Sequence, residues 1–367
     1  MKIGILGCRG IPNAYGGFEE CAQQLSTRLV KKGHQVWVYN SHRHPYQQKS
    51  FEGVDIIHKY DPEHRVGTFG QFVYDLNCML DARWRDFDII LMLGYTSSSI
   101  WQRFLPSKAV IITNMDGMEW KRSKYTHRVQ NFLKRAERWA ARRSYLLIAD
   151  AEAIKTYLDG KYKTQVIYVP YGAQTIKKAE IKDGYLKKYA LNEGDYNLII
   201  ARLEPENNIE TILDGVQKSN SPHNTLVIGN HETPYGEKLK HKYRDNRIRF
   251  VKDIYDKEEL NTLRHFAHIY FHGHTVGGTN PSLLEAMASQ CMICAHGNKF
   301  NREVLGDDAA YFLDILDVTN ACDLLERNEM QRNKIKNNLR KIKDRYNWDV
   351  VTDQYEVIFQ QALIQLR

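Results

Sequence analysis

Residues 272–287 read HGHTVGGTNPSLLEAM and directly follow the apolar run 269–271. The apolar run predicts a buried strand, the glycine-rich segment a loop, and the stretch from Ser282 a helix, with Pro281 suited to its first turn. Backbone N–H groups at such a helix start bind anions, so the loop predicts a site for a phosphate or a sugar hydroxyl. Glu285, about one turn into the helix, either accepts hydrogen bonds from a ribose or only stabilises the helix dipole.

Strand-like and helix-like segments alternate along nearly the whole chain. The apolar runs are 3–6, 36–39, 54–57, 89–93, 110–112, 146–148, 166–169, 198–200, 226–228, 248–251, 269–271 and 292–294. Runs separated by helical periodicity predict parallel sheets covered by helices on both faces. A Lys-rich break near 171–187 divides them into two doubly wound α/β domains, 1–175 and 176–347. A terminal helix, 348–367, is predicted to pack back on the first domain.

Amino-acid composition excludes several classes of protein for this chain. With 43% apolar and 26% charged residues among 367, the chain is not a disordered protein, and no apolar run reaches the length of a membrane span. Six cysteines are too few for a disulfide scaffold in a chain of this length, which predicts a cytoplasmic protein. The formal net charge of +8 suits an anionic partner, whether a nucleotide, a nucleic acid or a membrane surface.

Two further loops carry candidate ligand-binding residues. Gly16 and Gly17 stand after the first strand and just before a helix, where they let the backbone approach an anion, or simply form a tight turn. A nicotinamide site is not predicted there, because the G-x-G-x-x-G pattern is absent. Arg202 follows the first strand of the second domain and either binds a diphosphate or pairs with Glu204 or Glu206.

These motifs together resemble a known enzyme family. The two α/β domains, the Gly-Gly turn, the R-L-x-P-E run from Arg202 and the loop into L-L-E-A-M resemble the retaining, metal-independent family four of glycogen-synthase-like glycosyltransferases. That resemblance implies the GT-B fold, in which two Rossmann-like domains face each other across a cleft. More narrowly, GIP at 10–12, YGGFE at 15–19, DGMEWKR at 116–122 and GGTNP at 277–281 resemble the bacterial rhamnosyltransferases, which commonly use dTDP-L-rhamnose to build cell-surface polysaccharides.

The resemblance assigns roles to residues of the donor site. It implies that Gly16 and Gly17 bind the diphosphate, that Arg202 balances its charge, and that Glu285 binds the ribose. The residues implied to hold the sugar and the β-phosphate are Gly278, Thr279 and Asn280, and His272 either contacts the donor or is an ordinary turn histidine. No cofactor and no metal ion are implied.

Two positions depart from the family pattern. Asn207 stands where the family usually has a lysine, and Gly277 where it usually has a glutamate. Lys299 or Arg302 could supply the missing positive charge. We expect both departures to accompany a different donor sugar, such as a 6-deoxyhexose, although they also leave activity itself open.

The acceptor is predicted to bind the first domain. Asp116 stands where the wider family often has a His-Gly or His-Asp pair, and we expect it to contact the sugar or to accept the acceptor's proton. The alternative for Asp116 is a turn aspartate that bonds its own backbone, and Glu119 is the second candidate. The resemblance implies a glycan or an undecaprenyl-pyrophosphate-linked saccharide as acceptor.

Residues 121–143 combine an apolar stripe at helical spacing with many basic residues, among them Lys124, Arg128, Lys134, Arg135, Arg138 and Arg142. Such a helix predicts either attachment to an anionic membrane surface, here the inner face of the cell membrane, or an ordinary solvated face. No nucleic-acid partner is expected. The sequence therefore predicts a glycosyltransferase; the alternatives are a nucleotide-sugar epimerase of the same fold and a non-catalytic protein that binds sugar nucleotides or nucleic acid.

Overall fold

The computed structural model describes residues 1–122, 125–176, 182 and 184–365, which divide into two units. Unit 1 consists of Met1–Tyr171 and the chain from Trp348 onward, and unit 2 of Gly172–Asn347. Lys124 of the predicted basic helix, 177–181 beside the predicted domain junction, and 366–367 at the end of the predicted terminal helix lie outside the described residues.

Unit 1 contains an eight-stranded sheet with the strand order β3-β4-β2-β1-β5-β6-β7-β8. Its strands are β1 (Lys2–Leu6), β2 (Gln35–Ser41), β3 (Ser50–Phe51), β4 (Val54–Lys59), β5 (Ile89–Leu93), β6 (Val110–Asn114), β7 (Leu146–Ala149) and β8 (Val166–Tyr168). Every neighbouring pair is parallel except β3 and β4, which are antiparallel. Each residue of β5 and β6 is buried, as expected for strands that are covered on both faces.

The helices of unit 1 that precede the last strand are amphipathic or short. They are α1 (Gly17–Lys31), α2 (Glu63–Val66), α3 (Phe69–Ala82), α4 (His127–Arg143) and α5 (Glu152–Asp159). Helix α1 ends because Gly33, with φ 87°, adopts the left-handed conformation that closes a helix. Helix α4 starts at His127, whereas the basic segment was predicted from 121; Glu119–Lys121 form a short 3₁₀ turn instead.

Unit 2 contains a six-stranded, fully parallel sheet with the order β11-β10-β9-β12-β13-β14. Its strands are β9 (Tyr196–Ile200), β10 (Asn224–Ile228), β11 (Ile248–Val251), β12 (Tyr270–His272), β13 (Ile293–His296) and β14 (Ala310–Phe312). Its helices are α6 (Gly184–Lys188), α7 (Ile209–Lys218), α8 (Pro234–Lys242), α9 (Lys257–Phe266), α10 (Pro281–Ala288), α11 (Lys299–Leu305), α12 (Ile315–Leu324) and α13 (Glu329–Asp344). The predicted class of two doubly wound parallel sheets is therefore confirmed.

The last helix, α14 (Trp348–Gln365), belongs to unit 1 and packs on α1. Arg28 Nε donates to Asp349 at 2.7 Å, and Lys32 Nζ lies 2.9 Å from Glu356. At the end of β6, Asn114 Nδ2 donates to the Tyr355 hydroxyl at 3.0 Å. None of the helices within the described ranges has the length and apolarity to cross a membrane.

Candidate functional site

Three loops of unit 2 meet at the carboxyl ends of neighbouring strands. The β9 loop comprises 201–208, the β12 loop 273–280 and the β13 loop 297–298. Because β9, β12 and β13 are adjacent in the sheet, their loops emerge side by side. This edge of a doubly wound sheet is where such folds bind ligands.

The β9 and β12 loops are joined by direct hydrogen bonds. Asn208 Nδ2 donates to the Gly273 carbonyl at 2.8 Å, and Thr275 donates from its N–H (3.2 Å) and its hydroxyl (2.8 Å) to the Glu206 carbonyl. A Cβ at Gly273 would lie 2.0 Å from the Asn207 carbonyl oxygen, so only glycine allows this approach. The loop that carries Arg202 is thereby fixed against the glycine-rich loop.

The β13 loop is fixed to the same place. Asn298 Nδ2 and Asn301 Nδ2 both donate to the His274 carbonyl, at 2.8 and 3.1 Å. Asn298 also caps α11, because its Oδ1 accepts from the N–H groups of Phe300 and Asn301. Sequence reasoning overlooked both asparagines, although an asparagine directly before a helix is a recognisable capping signal.

Helix α10 directs its N-terminus toward the β12 loop. Asn280 Oδ1 caps it by accepting from Ser282 N–H at 3.0 Å, so the side-chain NH₂ of Asn280 is the group best placed to donate to a ligand. Thr279 is buried, and Gly278 is half-buried beside it. Gly277 has φ 118° with open space around its would-be Cβ, a backbone conformation that a glutamate rarely adopts.

Glu285 points one carboxylate oxygen at a buried arginine. Arg264 Nη2, on α9, donates to Glu285 Oε2 at 2.5 Å. The Arg264 side chain is 3% exposed, whereas the Glu285 side chain is 42% exposed. The sequence prediction did not include Arg264, because it lies 21 residues before Glu285 and outside any motif.

The charged residues of the site differ in how they are held. The Arg202 side chain is exposed at the carboxyl end of β9. Asn207 is buried, and its Nδ2 donates to the Arg202 carbonyl at 2.8 Å. Asn207 therefore braces the β9 loop, and a direct donor contact for it stays a prediction.

The two substitute cations lie on α11. Lys299 is exposed, and its ammonium stands 5.1 Å above the Phe300 ring. The Arg302 guanidinium stacks 4.2 Å from the Tyr311 ring centroid, while its Nε donates to the Gly297 carbonyl at 3.1 Å. Arg302 is thus engaged within the protein, which leaves Lys299 as the better candidate for binding a phosphate.

His272 is a buried, neutral group at the end of β12. Its ring stacks on that of His274 with 4.5 Å between centroids, and neither ring nitrogen has a hydrogen-bond partner in the part of the chain that the structure describes. Burial, with smaller contributions from His274 and Arg264, lowers its pKa well below the usual range. A neutral imidazole with unused nitrogens can donate to a ligand hydroxyl or accept from one.

In unit 1, the glycine pair begins a helix. Gly16 is the N-cap of α1 and Gly17 its first residue, and both are exposed. The preceding loop is braced from β2, since Ile11 N–H donates to Asn40 Oδ1 (3.0 Å) and Asn40 Nδ2 donates to the Ile11 carbonyl (2.7 Å). A Cβ at Gly10 (φ 128°) would lie 2.3 Å from Asn40 Cγ. The sequence prediction missed this role of Asn40.

The two catalytic candidates of unit 1 differ in their surroundings. Asp116 has φ 52°, and its N–H donates to Asn114 Oδ1 at 3.1 Å. Glu119 is buried and accepts Arg122 Nε on both oxygens at 2.8 Å. Because Glu119 is buried and Asp116 is only half-buried, Asp116 is the better candidate for contact with a substrate.

Trp120 anchors this loop to helix α4. Its Nε1 donates to Glu137 at 3.1 Å, and the Lys134 ammonium stands 4.7 Å from its ring centroid. Glu137 is buried and also accepts from Lys161 at 2.7 Å and from Tyr162 at 2.7 Å. A fully bonded carboxylate therefore holds the Asp116 loop on the basic helix.

Comparison with known families identifies the second half of the chain. Residues 182–342 match the model described as glycosyl transferases group 1, and residues 1–174 match a domain of unknown function, DUF1972. Residues 182–342, which lie in unit 2, are therefore similar to group 1 glycosyl transferases. A comparison with curated protein sequences finds no match. Within the described ranges, no group of three His, Cys, Asp or Glu side chains could hold a metal ion.

Solved glycosyltransferase structures resemble the whole chain. Sucrose-phosphate synthase from Thermosynechococcus elongatus is 15% identical, with 99% of both chains covered and a TM-score of 0.79. Anabaena HepE in complex with UDP-glucose is 13% identical, with 98% of this chain and 100% of that chain covered and a TM-score of 0.76. The UDP-forming trehalose-phosphate synthase from Burkholderia xenovorans is 12% identical, with coverage of 98% and 100% and a TM-score of 0.73. At these identities the likeness shows the fold, and the predicted GT-B class is confirmed.

Proposed function

We propose that this group 1 glycosyltransferase transfers a sugar from a nucleoside-diphosphate donor that binds to unit 2. The observation that carries the proposal is the set of interlocked loops at the ends of β9, β12 and β13. Together they gather an exposed arginine, a helix N-terminus, a neutral histidine and a half-exposed carboxylate: Arg202, the start of α10, His272 and Glu285. The HepE structure, whose complex contains UDP-glucose, and the trehalose-phosphate synthase, which is described as UDP-forming, support the same class of donor.

The groups at this edge match the parts of such a donor. The positive end of the α10 dipole and the Arg202 guanidinium suit a diphosphate, because both place fixed positive charge against it. Glu285 suits a hydroxyl of the nucleoside sugar. His272, held neutral by burial, suits a hydroxyl better than a charged phosphate. Lys299 supplies the further positive charge that Asn207 lacks.

The transfer that we propose proceeds with retention. The bond between the anomeric carbon and the phosphate oxygen breaks, a bond from that carbon to the acceptor oxygen forms on the same face, and the departing phosphate oxygen takes the acceptor proton. Arg202 and the α10 N-terminus stabilise the charge on the leaving diphosphate. Asp116 orients the acceptor hydroxyl or the sugar, and Gly16 and Gly17 provide further N–H groups for the diphosphate. No cofactor is part of the proposal.

For the donor we propose dTDP-L-rhamnose. Its supports are the sequence resemblance and the open space around Gly277, where a glutamate side chain is missing from the sugar end of the site. A thermal-shift panel of dTDP, UDP and GDP sugars tests it, since a ligand that binds only the folded state raises the unfolding midpoint. We expect dTDP-L-rhamnose to give the largest rise; a larger rise with a UDP- or GDP-sugar would reassign the donor.

For the acceptor we propose a lipid-linked saccharide, reached from an anionic membrane surface. Helix α4 exposes a cationic surface, which consists of Arg128, Lys134, Arg135, Arg138 and Arg142. Apolar side chains stand next to it: Val129 and Trp139 are 38% and 36% exposed, and Phe132 lies 5.9 Å from Phe72 between ring centroids. Cationic and aromatic groups on one helix suit the headgroup region of anionic lipids.

Vesicle binding tests the membrane proposal. Arg135→Glu/Arg138→Glu should weaken binding to phosphatidylglycerol-containing vesicles at least tenfold, because about 1 kcal/mol is associated with each basic residue near such a surface. The control is Lys336→Glu/Lys343→Glu, which makes the same charge change on exposed positions of α13. Equal binding to neutral and anionic vesicles would refute the proposal.

Product analysis separates transfer from other activities of the same fold. Incubation of the purified protein with donor and acceptor should give a glycosylated acceptor and free nucleoside diphosphate. An isomerised donor in the absence of acceptor would instead identify an epimerase, and bound but unchanged donor would identify a binding protein.

A further inference from the structure

One of the two carboxylate oxygens of Glu285 is hydrogen-bonded within the protein. Oε2 accepts from Arg264 Nη2 at 2.5 Å, while Oε1 has no hydrogen bond to any residue of the described ranges. The side chain is 42% exposed, so a ligand can reach the carboxylate. A carboxylate held in this way presents one oxygen, in one orientation, to a ligand.

Arg264 is built into the interior to make this contact. Its side chain is 3% exposed, and its carbonyl accepts from Cys291 Sγ at 3.0 Å. Burial acts to lower the pKa of Arg264, but the Glu285 charge together with smaller contributions from Tyr270 and Cys291 outweighs it, so the pKa is raised and the guanidinium stays charged. A buried charge is stable only when it is paired, so Arg264 requires Glu285 in place.

We propose that Arg264 is a positioning residue of the donor site, which orients Glu285 so that its free oxygen accepts from a single hydroxyl of the nucleoside sugar. The inference rests on the proposed function and specifies what that site recognises. A ribose offers two vicinal hydroxyls and a 2′-deoxyribose one, and a carboxylate with one free oxygen gains little from the second. The site should therefore bind a deoxyribonucleotide donor about as tightly as the corresponding ribonucleotide.

Binding of three nucleotides with one base tests this inference. The probes are thymidine diphosphate, its 3′-deoxy analogue and its ribose analogue 5-methyluridine diphosphate, with the matching uracil series in parallel. For the wild-type protein we expect the ribose and 2′-deoxyribose forms to bind within about threefold of each other. Loss of the 3′-hydroxyl should weaken binding about tenfold or more, as for a hydrogen bond to a charged group.

Variants separate orientation from structural support. In Arg264→Met, the ratio of dissociation constants between the 3′-deoxy and 3′-hydroxy ligands should fall toward one, because Glu285 is no longer held. Arg264→Lys, which keeps the charge but not the planar fork, should keep part of the ratio. The matched control is Arg327→Met. Arg327 Nη2 donates to the Ala267 carbonyl beyond the end of α9 and does not contact Glu285, so this variant should keep the wild-type ratio.

Each outcome decides the inference. A wild-type ratio in Arg264→Met, or ribonucleotide binding more than tenfold tighter than that of the deoxyribonucleotide, overturns it while leaving the proposed function intact. If Arg264→Met does not fold, Arg264→Lys decides, and its ratio must fall at least threefold. If the wild-type protein binds no nucleoside diphosphate in either series, the proposed function and the inference both fall.

Discussion

Asp75 should make the stability of unit 1 depend on pH. It lies on α3 in a buried position, where Ser97 Oγ donates to its Oδ2 at 2.5 Å. Burial raises its pKa from the ordinary 3.8 to about 7, and the Ser97 hydrogen bond and the Arg9 charge only partly offset that rise. The folded protein therefore holds the Asp75 proton in a pH range where the unfolded chain has lost it.

The sign and the size follow from linkage. Because the folded-state pKa is the higher one, the stabilisation is fully present below about pH 4 and is lost as the pH rises toward 7. The difference between about 7 and 3.8 is about three pH units, and at about 1.4 kcal/mol per unit it corresponds to about 4 kcal/mol. The asparagine of Asp75→Asn cannot ionise but can still accept the Ser97 hydrogen bond. The variant should therefore not lose stability as the pH rises from 4 to 7.

Urea unfolding between pH 4 and pH 8.5 measures the effect. All six tryptophans lie in unit 1, so tryptophan fluorescence reports the unfolding of that unit alone. The free energy of unfolding of Asp75→Asn minus that of the wild type should rise by up to about 4 kcal/mol from pH 4 to pH 7 and then level off. Asp86→Asn, a change at a side chain that is 88% exposed, is the control and should give a flat difference. A flat difference for Asp75→Asn as well would refute the reasoning.

Two further substitutions test the loops. Gly273→Ala would place a Cβ 2.0 Å from the Asn207 carbonyl oxygen, so we expect a lower thermal midpoint and nucleotide binding weakened at least tenfold. Gly184→Ala is the control and should leave binding unchanged, because no atom lies within 4 Å of its would-be Cβ. Equal nucleotide binding by the two variants would contradict this reasoning. Asp116→Ala should lower kcat about 100-fold with donor and acceptor saturating, if it takes part in positioning or proton transfer. Glu119→Gln should mainly lower the thermal unfolding midpoint, because it breaks the ion pair with Arg122. Unchanged turnover in Asp116→Ala would exclude the proposed role of Asp116.

The sequence predicted most of the fold because buried parallel strands are apolar along their whole length. The runs at β5 and β6, for example, coincide with strands in which every residue is buried. It missed β3 and β14, which span two and three residues at the sheet edges and carry no extended apolar run. A short edge strand forms because it pairs with the adjacent strand, more than because of its own composition. Such strands are therefore difficult to predict from a single sequence.

For the site, local motifs predicted which loops meet but not what holds them. The glycine-rich segment and the helix start of α10 were visible because they are contiguous in sequence. The ion pair of Arg264 with Glu285 joins two helices, and the bracing of the β1 loop by Asn40 reaches across to another strand. The position of Glu119 in a motif suggested reactivity without revealing its ion pair with Arg122, and its catalytic role stays a prediction. Contacts between distant residues cannot be read from a motif.

The bracing residues of both units share one chemical property. Most are asparagines: Asn40, Asn114, Asn207, Asn208, Asn298 and Asn301 each hydrogen-bond a backbone group at the carboxyl end of a strand. An amide donates and accepts without carrying charge, so it can hold a loop without attracting or repelling an anion. Aspartate at these positions would lose the donating NH₂ and oppose a diphosphate, and lysine would compete for it. Neutral bracing thus leaves the proposed diphosphate site to the α10 N-terminus, Arg202 and Lys299, without a charged bracing residue that would repel the diphosphate or compete for it.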